Sequence, residues 1–572
     1  MKKTCLFFVA LLFSASVNLA QDGQRATFGE VVDVEIVNVE VWVTDNQGRP
    51  VSGLTLADFE LREDGKPVEI SYFSEVSGAF TARGPQIQAL EEPAVEETAP
   101  AAAAPSEAGH LVIYFDELHL GLTSRKRLVK NLRSFLAAED IPPERVLVLR
   151  QGGNLLTEVP FGSDWKTLDS ALQKMAKGQA SGGRTELDKV LSIQRLQQLW
   201  EEAQVSTPAI AETDPCGDFV RRAFNEIEVY ARNSRTRIDA TLGHLTDTAS
   251  FLAGVPGTKT LLYLSDALET NPGMDLRNFV FGLCPTGSDR QKNLDSPVEL
   301  GIAFQDLTRH ANANRVTIYA LQGSTLRTSS MNNASSAAMD IRASSALSTA
   351  VRAENRSGLN TLAGETGGRT VSNKNDFKGA LDRISQDMSS YYSLAYTPSH
   401  GGDGSQHRID VNVKQRGLQV RHRKGYRDKS PDERMAERVQ SALYLGQVSN
   451  PLEARLGAGN IVATENAGSF NLPLHVVVPA DKLVFLPQQD ASMAKVKIQV
   501  ATRSANKRKV ALQQRVFTPT EPAAKDQSLN LVFNLELEEG VHVLAVGLRD
   551  EITRETSYVS TAIEIREPEA GR

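Results

Sequence analysis

The sequence lacks long apolar runs. Beyond residue 20, no stretch of about 18 apolar residues could form a membrane-spanning helix. The N-terminal segment has an apolar core, Cys5 to Phe13, that is itself too short to span a membrane. Lys2 and Lys3 before this core and the small residue Ala20 after it are typical of a secretory signal. We therefore predict a signal peptide at residues 1–20 and a mature chain that is exported, to the periplasm or out of the cell, without a transmembrane segment.

Cysteine is also scarce, with three residues in the whole chain. Removal of the signal leaves only Cys216 and Cys284, too few for a structural zinc site, and no histidine pair has the zincin spacing. A single pair in an exported chain favours one disulfide between two loops, because oxidising compartments rarely leave a matched pair free. The alternative is two unpaired, partly buried thiols.

Signatures of catalysis and of nucleic-acid binding are missing. The chain has no G-x-S-x-G elbow, and no dinucleotide glycine fingerprint follows a strand-like run. GVPGTKT resembles a phosphate loop, but no glycine directly precedes Lys259, and the segment comes before a strand. Carboxylates are plentiful, yet their spacing picks out no acid/base pair. The net charge of −7 argues against nucleic acid as the main partner. The sequence predicts a protein that is not an enzyme.

Two short β-rich segments are present near the two ends of a larger central region. Residues 30–80 alternate β-branched and aromatic runs with glycine-containing turns at Asp45–Gly48 and Glu63–Lys66, which predicts an N-terminal β-module. Residues 391–428 have the pattern of a β-meander. The N-terminal module is too small to bury a core alone. We expect the two segments to join into one sandwich, with the central domain inserted between them.

The meander carries a cluster of basic side chains. These residues are Arg421, Arg423, Lys424 and Arg427. In isolation the cluster resembles a nucleic-acid-binding patch. Because the chain is acidic overall and predicted to be exported, we interpret it as a solvated strand face.

The central region alternates strands with amphipathic helices. From residue 110 to 390, runs such as LVIYF, KTLLYLS and RVTIYALQ are separated by helical segments, which predicts a parallel sheet with helices on both faces. Residues 84–109, rich in Pro, Ala and Glu, are predicted to be a flexible linker. A linking helix at 431–448 leads to residues 451–567, whose short, regularly spaced strands predict a C-terminal β-sandwich.

Several stretches resemble a known family. They are VTDNQGRPVSGLTLADFELREDGKPVEI, IYFDELHL, LAGVPGTKTLLYLSD, RVTIYAL and, most specifically, YYSLAYTP with LQVRHRKGYR. Residues 110–390 resemble a von Willebrand factor A domain, and nearly the whole mature chain is similar to the exported von Willebrand factor A-related acidobacterial domain proteins. The resemblance implies a doubly wound α/β domain, flanked by small all-β modules and a C-terminal β-sandwich. It also implies a ligand site at the carboxyl ends of the strands.

Metal-binding A domains hold Mg²⁺ or Mn²⁺ through an Asp-x-Ser-x-Ser run, a later Thr and a later Asp, and a partner's acidic residue completes the shell. In this chain Asp116 matches the first Asp, Thr185 in SGGRTEL matches the Thr, and Asp266 in LYLSDALE matches the last. Leu118 and Leu120 replace the two serines, so two hydroxyl ligands are lost. The resemblance thus implies a degenerate site that binds Mg²⁺ or Mn²⁺ weakly. The alternative is that Asp116 and Asp266 cap a helix or bond loop amides.

The favoured function is that of an exported, non-catalytic binding or adhesion-type protein. Its A-like domain would present the carboxyl-end rim of the sheet to a protein or cell-surface partner, stiffened by the disulfide, which would tie the 204–217 insertion to the loop after Glu269. The alternative is a structural or assembly component of the cell envelope whose rim binds nothing specific. A hydrolase with a site assembled from non-local residues is the third interpretation.

Overall fold

The computed structural model describes most of the chain after residue 35. The described residues are 36–77, 109–139, 141–178, 182–205, 215–284, 300–323, 341–372, 377–446, 449–466, 468–488, 491–504, 510–522 and 527–566. The predicted signal peptide at 1–20 lies outside them, as does the predicted linker except for its last residue. Among the described residues, no helix is both long enough and apolar enough to cross a membrane.

The secondary structure is mixed. In chain order, the strands are β1 (Val37–Thr44), β2 (Phe59–Glu63), β3 (Lys66–Pro67), β4 (Tyr72–Ser77), β5 (His110–Asp116), β6 (Val146–Gln151), β7 (Leu155–Val159), β8 (Lys259–Ser265), β9 (Val316–Gln322), β10 (Thr370–Val371), β11 (Ser390–Tyr396), β12 (Gln406–Val413), β13 (Gln419–His422), β14 (Gly425–Arg427), β15 (Arg455–Ala458), β16 (Val462–Ala463), β17 (Ser469–Pro479), β18 (Leu486–Gln488), β19 (Ala491–Met493), β20 (Val496–Ser504), β21 (Val510–Phe517), β22 (Ser528–Glu538), β23 (Gly540–Asp550) and β24 (Thr556–Ile565). The α-helices are α1 (Leu122–Ala138), α2 (Trp165–Lys177), α3 (Gly182–Val205), α4 (Pro215–Leu252), α5 (Met274–Leu283), α6 (Gly301–Ala313), α7 (Ile341–Glu365), α8 (Lys378–Ser389) and α9 (Pro431–Leu445).

The two β-rich segments pair with each other across the inserted central domain. One sheet has the order β13-β1-β11-β4 and the other β14-β12-β2-β3, so each contains strands from both segments. Alternate residues such as Val39, Val41 and Leu61 are buried in the apolar core between the sheets. The turn between β2 and β3 has positive φ at Asp64 (49°) and Gly65 (80°), as a two-residue hairpin turn requires. The expected joining of the segments into one sandwich is therefore observed.

The structure contradicts the prediction that the whole basic cluster of the meander is a solvated strand face. Arg423 is buried, not solvated, and its guanidinium donates hydrogen bonds to the carbonyls of Asn312 and Asn38. Arg421 donates to Asp387 Oδ1 at 2.7 Å, across the boundary between the sandwich and the central domain. The reason is tertiary: carboxylates and carbonyls distant in the chain, including Asp387 and Asn312 of the central domain, meet these cations, which a local charge count does not show. Arg421 and Arg423 thus fix the sandwich to the central domain, whereas Lys424 and Arg427 are exposed, as predicted.

The central domain is built on a six-stranded sheet with the order β10-β9-β8-β5-β6-β7. The first five strands are parallel, and β7 runs antiparallel to β6 at the edge. The central strands are continuous apolar runs because both of their faces are covered. The chain continues from β5 to β6, toward one edge of the sheet, and from β8 to β9, toward the other edge. The switch point therefore lies between β5 and β8.

Helices cover both faces of this sheet. On one face α4, α6 and α7 pack against the side chains of Val112, Tyr114 and Leu261, among others. On the other face α1, α2 and α8 pack against Ile113 and Phe115. The observed architecture is thus a mixed α/β domain with helices on both sides of a mainly parallel sheet, as the alternating pattern predicts.

Helix α9 connects the central domain to the last β-rich region. It starts with a capping box of Ser430 and Glu433, has Pro431 in its first turn, and ends at Gly446 in the left-handed conformation. One face packs on α4, and just after that helix the Gly254 amide donates to Ser441 Oγ at 2.9 Å. The other face meets β20, β23 and β24. Beyond it, a sheet containing β15, β16, β17 and β22 faces the sheet β21-β20-β23-β24 across an apolar core.

Candidate functional site

Asp116 and Asp266 lie at the switch point of the parallel sheet. Asp116 is the last residue of β5, and Asp266 directly follows β8, the adjacent parallel strand. The carboxyl ends of two neighbouring strands that connect in opposite directions leave a crevice where α/β proteins commonly bind ligands. The fold therefore brings both predicted carboxylates to the edge where a site is expected.

Asp116 is fully buried and uses both of its carboxylate oxygens within the protein. Oδ2 accepts from the hydroxyls of Tyr263 at 2.5 Å and Ser265 at 3.2 Å, and it lies 2.8 Å from His119 Nδ1. Oδ1 accepts from the Leu118 amide at 3.1 Å. Burial, together with the nearby Asp116 charge, raises the pKa of the Tyr263 phenol well above its usual range, so Tyr263 stays a donor. These contacts hold the loop that follows β5.

Asp266 has fewer hydrogen-bond partners than Asp116. Its Oδ2 accepts from the Gly121 amide at 2.8 Å, whereas Oδ1 is buried and receives no hydrogen bond of ordinary geometry from the described residues. Burial raises the pKa of Asp266 to about 6, although the Gly121 amide and the nearby Ser124 hydroxyl oppose that rise. Asp266 is the one predicted ligand with an open, buried oxygen.

Thr185 lies in the first turn of α3 and contacts the same loop. Its hydroxyl donates to the Leu118 carbonyl at 2.6 Å. Gly182, at the start of α3, approaches the loop so closely that a Cβ there would lie 2.4 Å from backbone atoms of Leu120. The absence of a side chain at Gly182 thus allows the close approach. The fold thus brings the three predicted ligands to one loop, from Asp116 to Gly121. Asp116 is the first residue of that loop, and Thr185 and Asp266 bond it from other elements.

The remaining loop side chains have other partners. Glu117 forms ion pairs with Arg125 at 2.5 Å and Arg150 at 3.1 Å. Leu120, which stands where the resemblance implies a serine, is buried in the apolar core on the α1 side of the sheet. The loop is therefore held in place by hydrogen bonds to the Asp116 carboxylate, by the ion pairs of Glu117 and by the burial of Leu120.

These residues do not fit a magnesium or manganese ion in the observed arrangement. Such an ion takes oxygen ligands in octahedral array. Of the three predicted ligands, Asp116 already accepts hydrogen bonds on both oxygens, which leaves Asp266 Oδ1 and the lone pairs of the Thr185 hydroxyl. The metal site at the rim remains a prediction. Elsewhere in the described residues, a group of histidines and aspartates is spaced so that it could hold a metal ion.

A buried ion cluster beside the rim is not foreseen by the sequence. Lys189 Nζ lies 2.5 Å from Glu269 Oε1 and 2.6 Å from Asp275 Oδ2, and the Tyr230 hydroxyl donates to Glu269 at 2.9 Å. Burial alone disfavours both charged forms, but the opposite charges raise the pKa of Lys189 and lower that of Glu269. The cluster joins α3, α4, α5 and the loop after β8. No motif links these positions, so sequence spacing offers no signal for them.

Above the rim, four helices form a separate apolar core. The helical cap, as we call it, consists of α3, α5 and the N-terminal halves of α4 and α7. Cys216 in the first turn of α4 and Cys284 directly after α5 form a disulfide with Cα atoms 5.7 Å apart, so the predicted pairing is confirmed. Most of the 204–217 insertion lies outside the described residues, but its cysteine lies within them. The disulfide crosslinks two elements within the cap, and the ion cluster joins the cap to the loop after β8.

The chain was compared with known proteins. The resemblance to von Willebrand factor A-related proteins rests on the sequence motifs. The structure shows only the broader fold class, a mixed α/β domain with a mainly parallel sheet. No protein-family model matches the chain, and no curated protein shows significant similarity to it.

Proposed function

We propose that this chain is an exported, non-catalytic binding protein of the von Willebrand factor A-related kind, and that its helical cap and rim contact a protein partner. A disulfide and the lack of a membrane-spanning helix among the described residues are compatible with export. The α/β domain supplies a rigid platform, and the sandwiches at its two ends act as spacers or docking faces.

The observation that carries this proposal is a pair of exposed leucines on the cap. Leu187 and Leu191 are one helical turn apart on α3, and each keeps about half of its surface exposed (52% and 51%). Residues four apart on a helix project from the same face, so the two side chains form one apolar ridge. An exposed apolar ridge on a well-packed helix is typical of a protein-binding surface. Thr185 on the same helix places this ridge next to the rim.

Rigidity of the ridge also favours binding. Lys189, between the two leucines in sequence, points inward to Glu269 and Asp275, and the disulfide holds the far end of the cap. A preorganised surface loses less conformational entropy on association than a mobile one. The cap therefore presents its apolar ridge at low entropic cost.

The test is affinity capture from an envelope extract with the immobilised mature chain. The Leu187→Ser/Leu191→Ser variant should lose at least one protein that the wild type retains, because the ridge would form the apolar centre of the contact. Val541→Ser is the matched control, since Val541 is similarly exposed (46%) but lies on β23 of the C-terminal sandwich.

Each outcome decides between interpretations. Capture lost only in the leucine variant, with native circular dichroism, supports the proposal. Capture that is identical for all three proteins contradicts a ridge-dependent partner. It would favour a structural or assembly component of the envelope instead.

A further inference from the structure

A cluster of histidines and aspartates lies far from the rim, on the N-terminal sandwich. The glycine-rich connection between β11 and β12 carries His400 and Asp403, His407 follows at the start of β12, and Asp428 comes directly after β14. Each of these four residues offers one ligand atom, and the four atoms all lie within 4.8 Å of one another. Neither the predicted metal ligands nor the proposed partner surface includes any of them.

The distances suit a small tetrahedral cation. His400 Nδ1 lies 2.9 Å from Asp428 Oδ2, and His407 Nε2 lies 3.8 Å from Asp403 Oδ1. Two ligands of a tetrahedral zinc ion, each about 2.0–2.1 Å from the metal, are separated by about 3.3 Å. These two separations lie on either side of this value, and all four ligand atoms lie within 4.8 Å of one another, so the side chains must draw together and reorient to complete the shell.

His407 provides an independent indication. Its side chain is nine-tenths buried (10% exposed), and among the described residues no group forms a hydrogen bond with Nε2. The distance of 3.8 Å from Nε2 to Asp403 is too long for a direct hydrogen bond. A buried, unpartnered imidazole nitrogen is costly unless something else completes its environment.

The other nitrogen of His407 is held as metal-binding histidines usually are. Nδ1 lies 2.9 Å from Asp64 Oδ2, and Asp64 Oδ1 in turn accepts from the Arg408 amide at 2.8 Å. A carboxylate on one ring nitrogen fixes the tautomer and directs the other nitrogen toward a metal. The β2–β3 turn, which carries Asp64, therefore orients His407.

The charge around the two imidazoles favours a cation. Besides Asp403 and Asp428, Asp64 contacts His407, and Glu63 Oε2 lies 3.4 Å from His400 Nε2. Asp428 is fully buried, and a buried carboxylate needs compensating positive charge. His400 keeps a quarter of its side chain exposed (26%), which leaves a path from solvent.

We propose that His400, Asp403, His407 and Asp428 bind one divalent transition-metal ion of the zinc class. Two imidazoles with two carboxylates form a ligand set that suits zinc, whereas Mg²⁺ and Ca²⁺ prefer oxygen ligands alone. The two rings stack with centroids 3.9 Å apart and planes 14° apart. Because imidazole lone pairs lie in the ring plane, the rings tilt apart when the ion enters. Gly402 and Gly404, both with positive φ, flank Asp403 and permit this adjustment.

The test is titration of the chelator-treated mature chain with Zn²⁺, with Co²⁺ and with Mg²⁺. Calorimetry should show one Zn²⁺ per chain, and Co²⁺ should produce the visible absorption of a tetrahedral nitrogen and oxygen site. Mg²⁺ should neither bind saturably here nor displace Co²⁺.

Variants separate this site from general surface binding. His407→Gln and Asp403→Asn should each weaken Zn²⁺ binding by about 100-fold or more, and Asp64→Asn by about 10–100-fold. Asp403 keeps almost half of its side chain exposed (45%), so its variant should fold even if the buried His407 variant does not. His475→Gln, on β17 of the other sandwich, is the control and should bind Zn²⁺ like the wild type. No saturable Zn²⁺ binding by the wild type, or undiminished binding by Asp403→Asn, would overturn the proposal.

Discussion

The backbone amide of Gly121 donates a hydrogen bond of 2.8 Å to Oδ2 of Asp266. The bond joins the loop after β5 to the first residue after β8, the two strands on either side of the switch point. A second bond, from the Asp266 amide to the His119 carbonyl, runs in the opposite direction at 3.1 Å. Asp266 therefore holds the rim loop through both its backbone and its side chain, and its ionisation should affect stability.

Asp266→Asn should change the pH dependence of unfolding. Burial raises the pKa of Asp266 from 3.8 to about 6, so the folded chain binds this proton more tightly than the unfolded chain. The stability linked to the proton is present below the unfolded pKa and is lost as the pH rises through the folded pKa. The difference corresponds to up to about 3 kcal/mol in the free energy of unfolding.

Urea unfolding of the wild type and the variant at a series of pH values measures this effect. The stability of the wild type relative to Asp266→Asn should fall between about pH 4 and pH 7. Asp239→Asn, at an exposed position on α4, is the control. A constant difference between wild type and Asp266→Asn across this range would show that the carboxyl is not destabilised by burial.

Asp116→Ala should destabilise the central domain strongly. The substitution leaves the hydroxyl of Tyr263 and the ring of His119 without their shared buried acceptor, whereas Ser265 keeps the Ala267 carbonyl as an acceptor. Removing one partner from a buried polar network costs about 3–5 kcal/mol. Asp116→Asn keeps one acceptor oxygen and should cost less. Thermal unfolding of the three proteins checks this order, and equal stability of Asp116→Ala and wild type would contradict it.

Sequence patterns predict the framework of this molecule because local properties determine it. The buried strands β5, β8 and β9 are continuous apolar runs, and the helices between them are amphipathic, so the parallel sheet follows from the pattern alone. The disulfide follows from composition, since only Cys216 and Cys284 lie outside the predicted signal peptide. The turn at Asp64 and Gly65 follows from residue types that tolerate positive φ.

The partners of the polar side chains depend on tertiary structure, so sequence patterns do not predict them. Asp116 and Tyr263 are 147 residues apart, and the fold alone makes them neighbours. Lys189 has the local context of an exposed helix residue, yet it is buried between Glu269 and Asp275. Arg423 likewise lies in a basic stretch that resembles a solvated face, and its acceptors are backbone carbonyls distant in the chain. Such contacts set the chemistry of the rim and of the boundary between the sandwich and the central domain.

Titration with Mg²⁺ and Mn²⁺ tests whether the rim binds metal. Because Asp116 accepts hydrogen bonds on both oxygens and Leu120 offers no ligand, we expect no saturable heat from the rim at sub-millimolar ion concentrations, measured in the Asp403→Asn background so that the proposed histidine–aspartate site does not take up Mn²⁺. Asp266→Ala should behave like the wild type in this titration. Saturable binding that disappears in Asp266→Ala would mean that the loop rearranges around the ion, and it would restore the metal site that the resemblance implies.

Loss of the disulfide should loosen the helical cap more than the rest of the protein. Cys216 and Cys284 are 68 residues apart, and closing a loop of that length restricts the unfolded chain by about 4 kcal/mol in the chain-entropy model. The crosslinked segments belong to the cap's own apolar core, so the stability lost in Cys216→Ser/Cys284→Ser should be lost there first.

Hydrogen exchange of backbone amides shows which part of the chain loses stability. In the double variant, amides of α3, α5 and the first half of α4 should exchange faster by about 10-fold or more, since a loss of about 1.4 kcal/mol in local stability gives a factor of 10. Strands β17 and β20 of the C-terminal sandwich serve as an internal control, because their apolar core is separate from that of the cap. Equal acceleration of the cap and of these strands would mean that the chain unfolds as one unit. Unchanged exchange in the cap would mean that the ion cluster around Lys189 holds the helices without the disulfide.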